Sequence, residues 1–116
     1  MGNDENGRYI ISQLKKYGID TSEMIIDDSV PTAADNVMSE RESGERTFFY
    51  SGSSNKSFGI KDIDGDNLDC KIFNIGYILL LDELDEYDEE YGTKMARLLD
   101  SVQKKGIKTS IDAVSE

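Results

Sequence analysis

"CKIFNIG", residues 70–76, and "KTSIDA", residues 108–113, enclose the part of the sequence that decides the fold. Both are short apolar runs of the kind found in strands. Between them, hydrophobic side chains recur at helical spacing until Gly106, which predicts the end of a helix: Tyr91, Met95, Leu98, Leu99 and Val102. Strand, helix and strand in this order predict a βαβ unit, and therefore an α/β fold with a parallel sheet and helices packed on it.

The carboxyl ends of parallel strands are where α/β proteins gather their ligands. Gly76 and Tyr77 follow the first strand of the predicted unit, and Asp112 lies at the end of the second. We therefore expect this edge of the sheet to be the functional face. Each of the three residues also has a structural interpretation, and for Tyr77 packing is the leading one.

Three short runs bounded by turn residues precede this unit, and they predict strands of a small separate sheet. They are Glu23–Asp27, Thr32–Ser39 and Arg46–Tyr50. The last run carries three consecutive aromatic residues, which must cover a core, a partner or a ligand.

The opening "MGNDENGRYIISQLKKYGI" predicts a helix over about residues 5–17, with Gly18 as its stop. Asp4 stands where an N-cap belongs, because its carboxylate can accept hydrogen bonds from the free N–H groups of the first turn. The spacing Gly2-x-Asp4-x-x-Gly7 also resembles a phosphate loop, but a helix-capping turn explains it better. Because the chain opens inside this loop, we expect the strand before it to be missing.

Composition excludes several function classes. The chain has 116 residues, a formal charge of -11 and no histidine. This charge disfavours nucleic-acid and anionic membrane surfaces as partners, and an acidic mimic of nucleic acid would rest on charge alone. Without histidine no Ser-His-Asp triad exists. Cys70 is the only cysteine, so we expect a buried thiol, no disulfide and a cytoplasmic location.

Two acidic segments suggest metal sites but have simpler explanations. Asp62, Asp64 and Asp66 have the spacing of a calcium loop, yet Asn67 replaces the required glycine and Phe73 the required glutamate. Residues 82–90, DELDEYDEE, predict the solvated start of a helix near residue 88, where carboxylates interact favourably with the positive helix end. We therefore predict neither a metal site nor a catalytic residue in this chain.

Four segments in order and spacing resemble the interior of PfkB/ribokinase-like carbohydrate kinases. They are GNDENGRYIISQLKKYGIDTSEM, TAADNVMSERESGERTFFYSGSSNKSFGIKDID, CKIFNIGYILLLDELD and GIKTSIDAVSE. Such kinases have a three-layer α/β core and a small β-sheet lid that closes over the sugar. The resemblance implies that 1–22 and 59–116 are core portions and that 23–58 is a lid portion of one kinase domain. Because lids of some members pair, it also implies a homodimer or self-association through the lid strands.

The resemblance also implies which residues lie nearest the substrate. The usual Gly-Ala-Asn after the last lid strand appears here as Ser53-Ser54-Asn55, which keeps the amide and loses the glycine. We expect the sugar beside Asn36, Asn55, Gly76 and Tyr77, and the phosphate side beside Asp112. For the two asparagines a structural role is equally well supported by the sequence.

In such kinases, other motifs lie outside the segments that this chain resembles. They are the early Asn-x-x-x-Gly sugar segment, the Gly-Ala-Gly-Asp loop with its catalytic base and anion hole, and the Asn-x-x-Glu motif linked to magnesium. The resemblance therefore implies ATP and Mg²⁺ for the intact enzyme and neither for this chain alone, which we expect to be inactive. The alternative is a truncated relic that acts as a non-catalytic sugar-binding or dimerisation module.

Overall fold

The computed structural model describes residues 1–63, 65 and 68–113. They form two compact units, Met1–Ser54 and Asn55–Glu116. A parallel pair of strands and two small antiparallel pairs combine with helices, which confirms the predicted α/β class. The division into core and lid portions stays a prediction. Of the calcium-like loop, residues 64, 66 and 67 lie outside the described part of the chain.

The first unit begins with helix α1, Glu5–Lys16, close to its predicted bounds. Asp4 is the N-cap, as predicted, and accepts a hydrogen bond from the Gly7 N–H at 2.8 Å. Gly18 follows the helix with φ +73°, a conformation that glycine adopts without steric cost. Apart from Gly7, the side chains of this helix are exposed or half-buried.

Strands β1, Ala34–Ser39, and β2, Arg46–Ser51, form an antiparallel hairpin, and every residue of both strands is exposed. The short helix α2, Ser53–Lys56, follows. The prediction of a strand at Glu23–Asp27 is wrong. Its backbone pairs with the start of the chain instead, since the Asp27 N–H donates to the Met1 carbonyl at 2.9 Å.

The second unit contains the predicted βαβ arrangement. Strands β3, Ile72–Ile78, and β6, Lys108–Ala113, are parallel, and helix α4, Lys94–Lys104, lies between them along the chain. A 3₁₀ turn at Ile60–Asp62 and helix α3, Asp82–Asp85, complete the packing. The buried core consists of Ile75, Leu81, Leu84, Met95, Leu98, Val102 and Ile107.

The helix predicted to begin near Asp88 begins at Lys94 instead. Where the start of the helix was predicted, strands β4, Tyr87–Asp88, and β5, Gly92–Thr93, form a small hairpin. The physical reason is the Asp88 carboxylate, which accepts from the N–H groups of the two residues that close this turn, Glu90 and Tyr91. Thr93 is the true N-cap of α4, where its hydroxyl accepts from a first-turn N–H.

Two properties of the surface complete the description. Cys70 is exposed, so the expectation of a buried thiol is wrong. Within the described ranges, no helix combines the length and the apolar character needed to cross a membrane.

Candidate functional site

The two parallel strands lose their regular register near their carboxyl ends. Ile75 pairs with Ile111, and the next pair is Ile78 with Ala113. Two residues of β3 therefore lie opposite one residue of β6, which makes a β-bulge. Bulges re-aim side chains and are over-represented beside active sites, so this edge of the sheet is a candidate site on geometric grounds.

The bulge residues are Gly76, Tyr77 and Asp112, all three of them predicted site residues. Tyr77 has φ +61°, a left-handed conformation that is costly for a residue with a side chain, and Leu79 has φ +75°. The Tyr77 side chain is 62% exposed, so its ring is not part of the described core. A strained backbone that presents an exposed phenol is unusual for a purely structural residue.

Asn36, the predicted site residue of the first unit, lies on β1 directly opposite Phe49 of β2. Cross-strand partners project from the same face of a hairpin and lie within contact distance of one another. The neighbouring pair on this face is Met38 with Thr47, because side chains alternate along a strand. The face thus combines an amide, an aromatic ring and a hydroxyl, the mixture of groups that small polar ligands use.

Asn55 lies on α2 and is half-buried. Ser53, two residues earlier, has φ +33°, in the left-handed region that favours glycine. Glycine adopts this conformation without a steric penalty, whereas the serine adopts it at an energetic cost. Three of the five predicted site residues thus meet at the bulge, Asn55 belongs to the same unit, and Asn36 belongs to the other.

Phe49 is a candidate site residue that the sequence reasoning did not single out. The signal was present in the alternation of the two strands, but it needs the hairpin register, which pairs position 36 with position 49. A shift of one residue would have placed the amide beside Phe48 instead.

The acidic segment serves the packing of α4. Arg97 donates to Asp88 through Nε at 2.6 Å and Nη2 at 3.0 Å, and its guanidinium lies 4.9 Å from the centre of the Tyr91 ring. The hydrogen bond from Arg97 lowers the pKa of Asp88 to about 2, helped by the Tyr91 N–H. The Tyr91 hydroxyl in turn donates to Asp100 at 2.9 Å. These contacts anchor the helix that covers the parallel strands.

The N-termini of the two longer helices both lie beside carboxylates. Within the described ranges, no three acidic, histidine or cysteine side chains form a cluster that could hold a metal. Helices α1 and α4 are long enough for their N-termini to bind phosphate, but the Asp4 carboxylate caps the first. Beside the start of the second lie Asp88 and Glu86, which bind Arg97 and Lys94.

Known proteins resemble this chain in sequence and in fold. The family model described as pfkB family carbohydrate kinase matches residues 1–115. A solved structure described as "Crystal Structure of Sa239" has a TM-score of 0.71 at 18% sequence identity, and the match covers 96% of this chain and 34% of that one. The chain therefore shares the fold of that protein over 34% of its length. No curated protein is significantly similar to the chain.

Proposed function

Because the chain belongs to the pfkB family of carbohydrate kinases, we propose that it forms the sugar-binding side of a kinase that transfers the γ-phosphate of ATP to a sugar hydroxyl. In this assignment the 116 residues contribute lid and sugar-pocket residues. Other segments of such an enzyme supply the catalytic base and the anion hole and bind ATP and Mg²⁺. Their motifs do not occur in this sequence. Phosphoryl transfer depends on positioning and on electrostatic stabilisation, so this chain supplies the positioning of the acceptor. We place the enzyme in the cytoplasm, where ATP is available.

The observation that carries this proposal is the bulge at the carboxyl ends of β3 and β6. Ligands of open α/β sheets bind at such ends. In the bulge, the exposed Tyr77 lies opposite Asp112 in the register. Apart from the chain neighbours of Gly76, no heavy atom of the described residues lies within 4 Å of the position that a Cβ at Gly76 would take. A sugar can approach the backbone at the glycine, stack on the ring and donate a hydroxyl hydrogen bond to the carboxylate. We assign Asp112 to the phosphate side of the sugar.

The hairpin of β1 and β2 is the proposed lid. The face with Asn36 and Phe49 suits a sugar, because an aromatic ring packs against C–H groups while an amide binds hydroxyls. All residues of the two hairpin strands are exposed, so both faces are accessible to a ligand or a partner.

The opposite face of the hairpin supports self-association, which is also the basis of the alternative function. Val37 lies opposite Phe48 there, and their side chains are 46% and 56% exposed. Exposed apolar strands of this kind pair with other strands unless charges or turns protect them. A relic that binds sugar without catalysis would use this face to dimerise.

The experiment for the proposed function is a binding titration of the 116-residue chain with a panel of pentoses and hexoses, followed by saturation-transfer NMR. We expect weak, saturable binding of one sugar class, which Asn36→Ala and Asp112→Asn each reduce. Asn6→Ala, an exposed asparagine on α1, is the matched control and should leave binding unchanged. Absence of saturable binding for every sugar, or equal binding by all three variants, would contradict the assignment.

A coupled assay for ADP separates the two candidate functions from a complete enzyme. We expect no sugar-dependent turnover of ATP by this chain alone. Turnover that depends on both sugar and Asp112 would show that the chain holds a complete active site. Sedimentation of Phe48→Glu against the wild type tests self-association, because a buried charge should dissociate a dimer formed through that face.

A further inference from the structure

A single carboxylate connects helix α1 to the entry of the hairpin. Asp4 accepts from the Gly7 N–H at 2.8 Å, which caps the helix. It also accepts from the Thr32 N–H at 2.7 Å and from the Thr32 hydroxyl at 2.7 Å. Thr32 stands two residues before β1 begins. The cap of the helix is therefore also the anchor of the strand.

Glycines allow this junction to close. The Gly2 N–H donates to the Thr32 hydroxyl at 3.1 Å, and Thr32 is only 7% exposed. A Cβ at Gly2 would lie 2.5 Å from the Val30 carbonyl oxygen, and one at Gly7 would lie 2.2 Å from the Gly2 carbonyl oxygen. Both contacts are with backbone, which cannot rotate away. The Gly-x-Asp-x-x-Gly spacing thus serves a close approach of three backbone segments.

The exit of the hairpin is tied to its entry. The Ala33 N–H donates to the Ser54 hydroxyl at 3.1 Å, and Ser54 is 9% exposed. Only Gly52 separates the last residue of β2 from α2. The base of the hairpin is therefore buried and hydrogen-bonded, while both of its strands are exposed along their whole length.

We propose that Asp4, Thr32 and Ser54 form the pivot of the lid: they are positioning residues that fix the base of the hairpin so that its two strands move together as one body. This role rests on the proposed function, in which the hairpin is a lid. The base of the hairpin is buried and tied at both ends, whereas its strands are exposed. Motion is therefore concentrated at the residues that join the base to the strands, which are Ala33 on the entry side and Gly52 and Ser53 on the exit side. Hinges of this type are a few residues at the ends of elements that absorb the backbone change.

The test uses ¹⁵N relaxation of the 116-residue chain without ligand. In the wild type, the hairpin amides should be nearly as ordered as those of α1. Thr32→Val removes the hydroxyl and keeps the size of the side chain, and we expect order parameters in the hairpin to fall from about 0.85 to below about 0.6 while α1 stays ordered. Thr32→Ser, the matched control, keeps the hydroxyl and should restore the wild-type values. A hairpin of unchanged order in Thr32→Val would overturn the pivot.

Ser54→Ala covers the case in which Thr32→Val unfolds the first unit. It leaves the contacts of Asp4 intact and removes the hydroxyl that accepts from the Ala33 N–H, so the hairpin should lose order without loss of α1. Retained hairpin order in this variant also counts against the pivot. A sugar titration separates the pivot claim from the lid claim. If the substitutions loosen the hairpin but the wild-type hairpin does not respond to sugar, the result supports the pivot and contradicts the lid.

Discussion

Gly7→Ala should destabilise the first unit, although this substitution normally stabilises a helix. In a helix interior, alanine is favoured over glycine by about 1 kcal/mol. Here the added Cβ would lie 2.2 Å from the Gly2 carbonyl oxygen and 3.1 Å from the Thr32 hydroxyl oxygen. Over-packing against atoms that cannot rotate away costs about 1–3 kcal/mol. The second effect is the larger, and we expect a net loss of up to about 2 kcal/mol.

Hydrogen exchange of the α1 amides, measured by mass spectrometry on the intact chain, gives the local free energy of opening. We expect amides of α1 to exchange faster in Gly7→Ala by up to about thirtyfold, since 1.4 kcal/mol corresponds to a factor of ten. Asn6→Ala, at the exposed neighbouring position, also gains helix propensity, though less than a glycine would, and it does so without the clash, so it should slow exchange slightly. Slower exchange in Gly7→Ala as well would refute the close approach of Gly2 and Gly7.

Three further outcomes follow from the contacts of the two units. Leu98 is a core residue that is 3% exposed, so Leu98→Ala should lower the free energy of unfolding in urea by about 2–5 kcal/mol. Leu99→Ala, at the half-buried neighbour, should lower it clearly less, and equal losses would contradict the described core. Arg97→Gln should raise the pKa of Asp88 from about 2 toward 3.8 in a carboxyl NMR titration. Because folding lowers this pKa, the Asp88 carboxylate stabilises the fold above pH 3.8 and loses that contribution as the pH falls through about 2. The acid-dependent loss should be smaller in the variant, where only the Tyr91 and Glu90 N–H groups still donate to the carboxylate. Ser53→Gly should raise stability by up to about 1 kcal/mol, since φ +33° is strained for serine; a loss would show that the conformation is not strained.

Local patterns were enough to predict the elements that make up most of the fold. The periodicity of α1 and α4, the two apolar strands and the Asp4 cap are all decided by residues within one or two turns of one another. The same is true of the hairpin formed by β1 and β2, with polar residues in its loop. Such features can be predicted from the sequence because their determinants are neighbours along the chain.

The errors arose where the deciding partner is distant or specific. Residues 23–27 have the composition of a strand but pair with residues 1–3 through an isolated bridge. Asp88 has the charge expected at a helix start, yet its hydrogen bonds to Arg97 and to the turn at residues 90–91 make it part of a hairpin. The pairing of residues 23–27 has no signal within its own segment, and the turn at Asp88 is held in part by Arg97, nine residues further along the chain.

In the candidate site too, features decided by neighbouring residues were predicted, and features decided by distant partners were not. The strand ends, and with them Gly76, Tyr77 and Asp112, were predicted because parallel strands end at one edge of the sheet. The bulge that brings these three residues together depends on register, and so does the pairing of Asn36 with Phe49. The contact of Asp4 with Thr32 spans 28 residues and required the folded chain.

The central claim is that the bulge of β3 and β6 contacts a sugar, and NMR mapping of the amides during a sugar titration tests it most directly. With the sugar class that binds, the account predicts saturable shifts at Gly76, Tyr77 and Asp112, and intermolecular contacts between the Tyr77 ring and sugar C–H protons. Exposed amides of α4 serve as the internal reference and should not move. A bound sugar that leaves the bulge residues unshifted, or that shifts only amides far from them, would contradict the account.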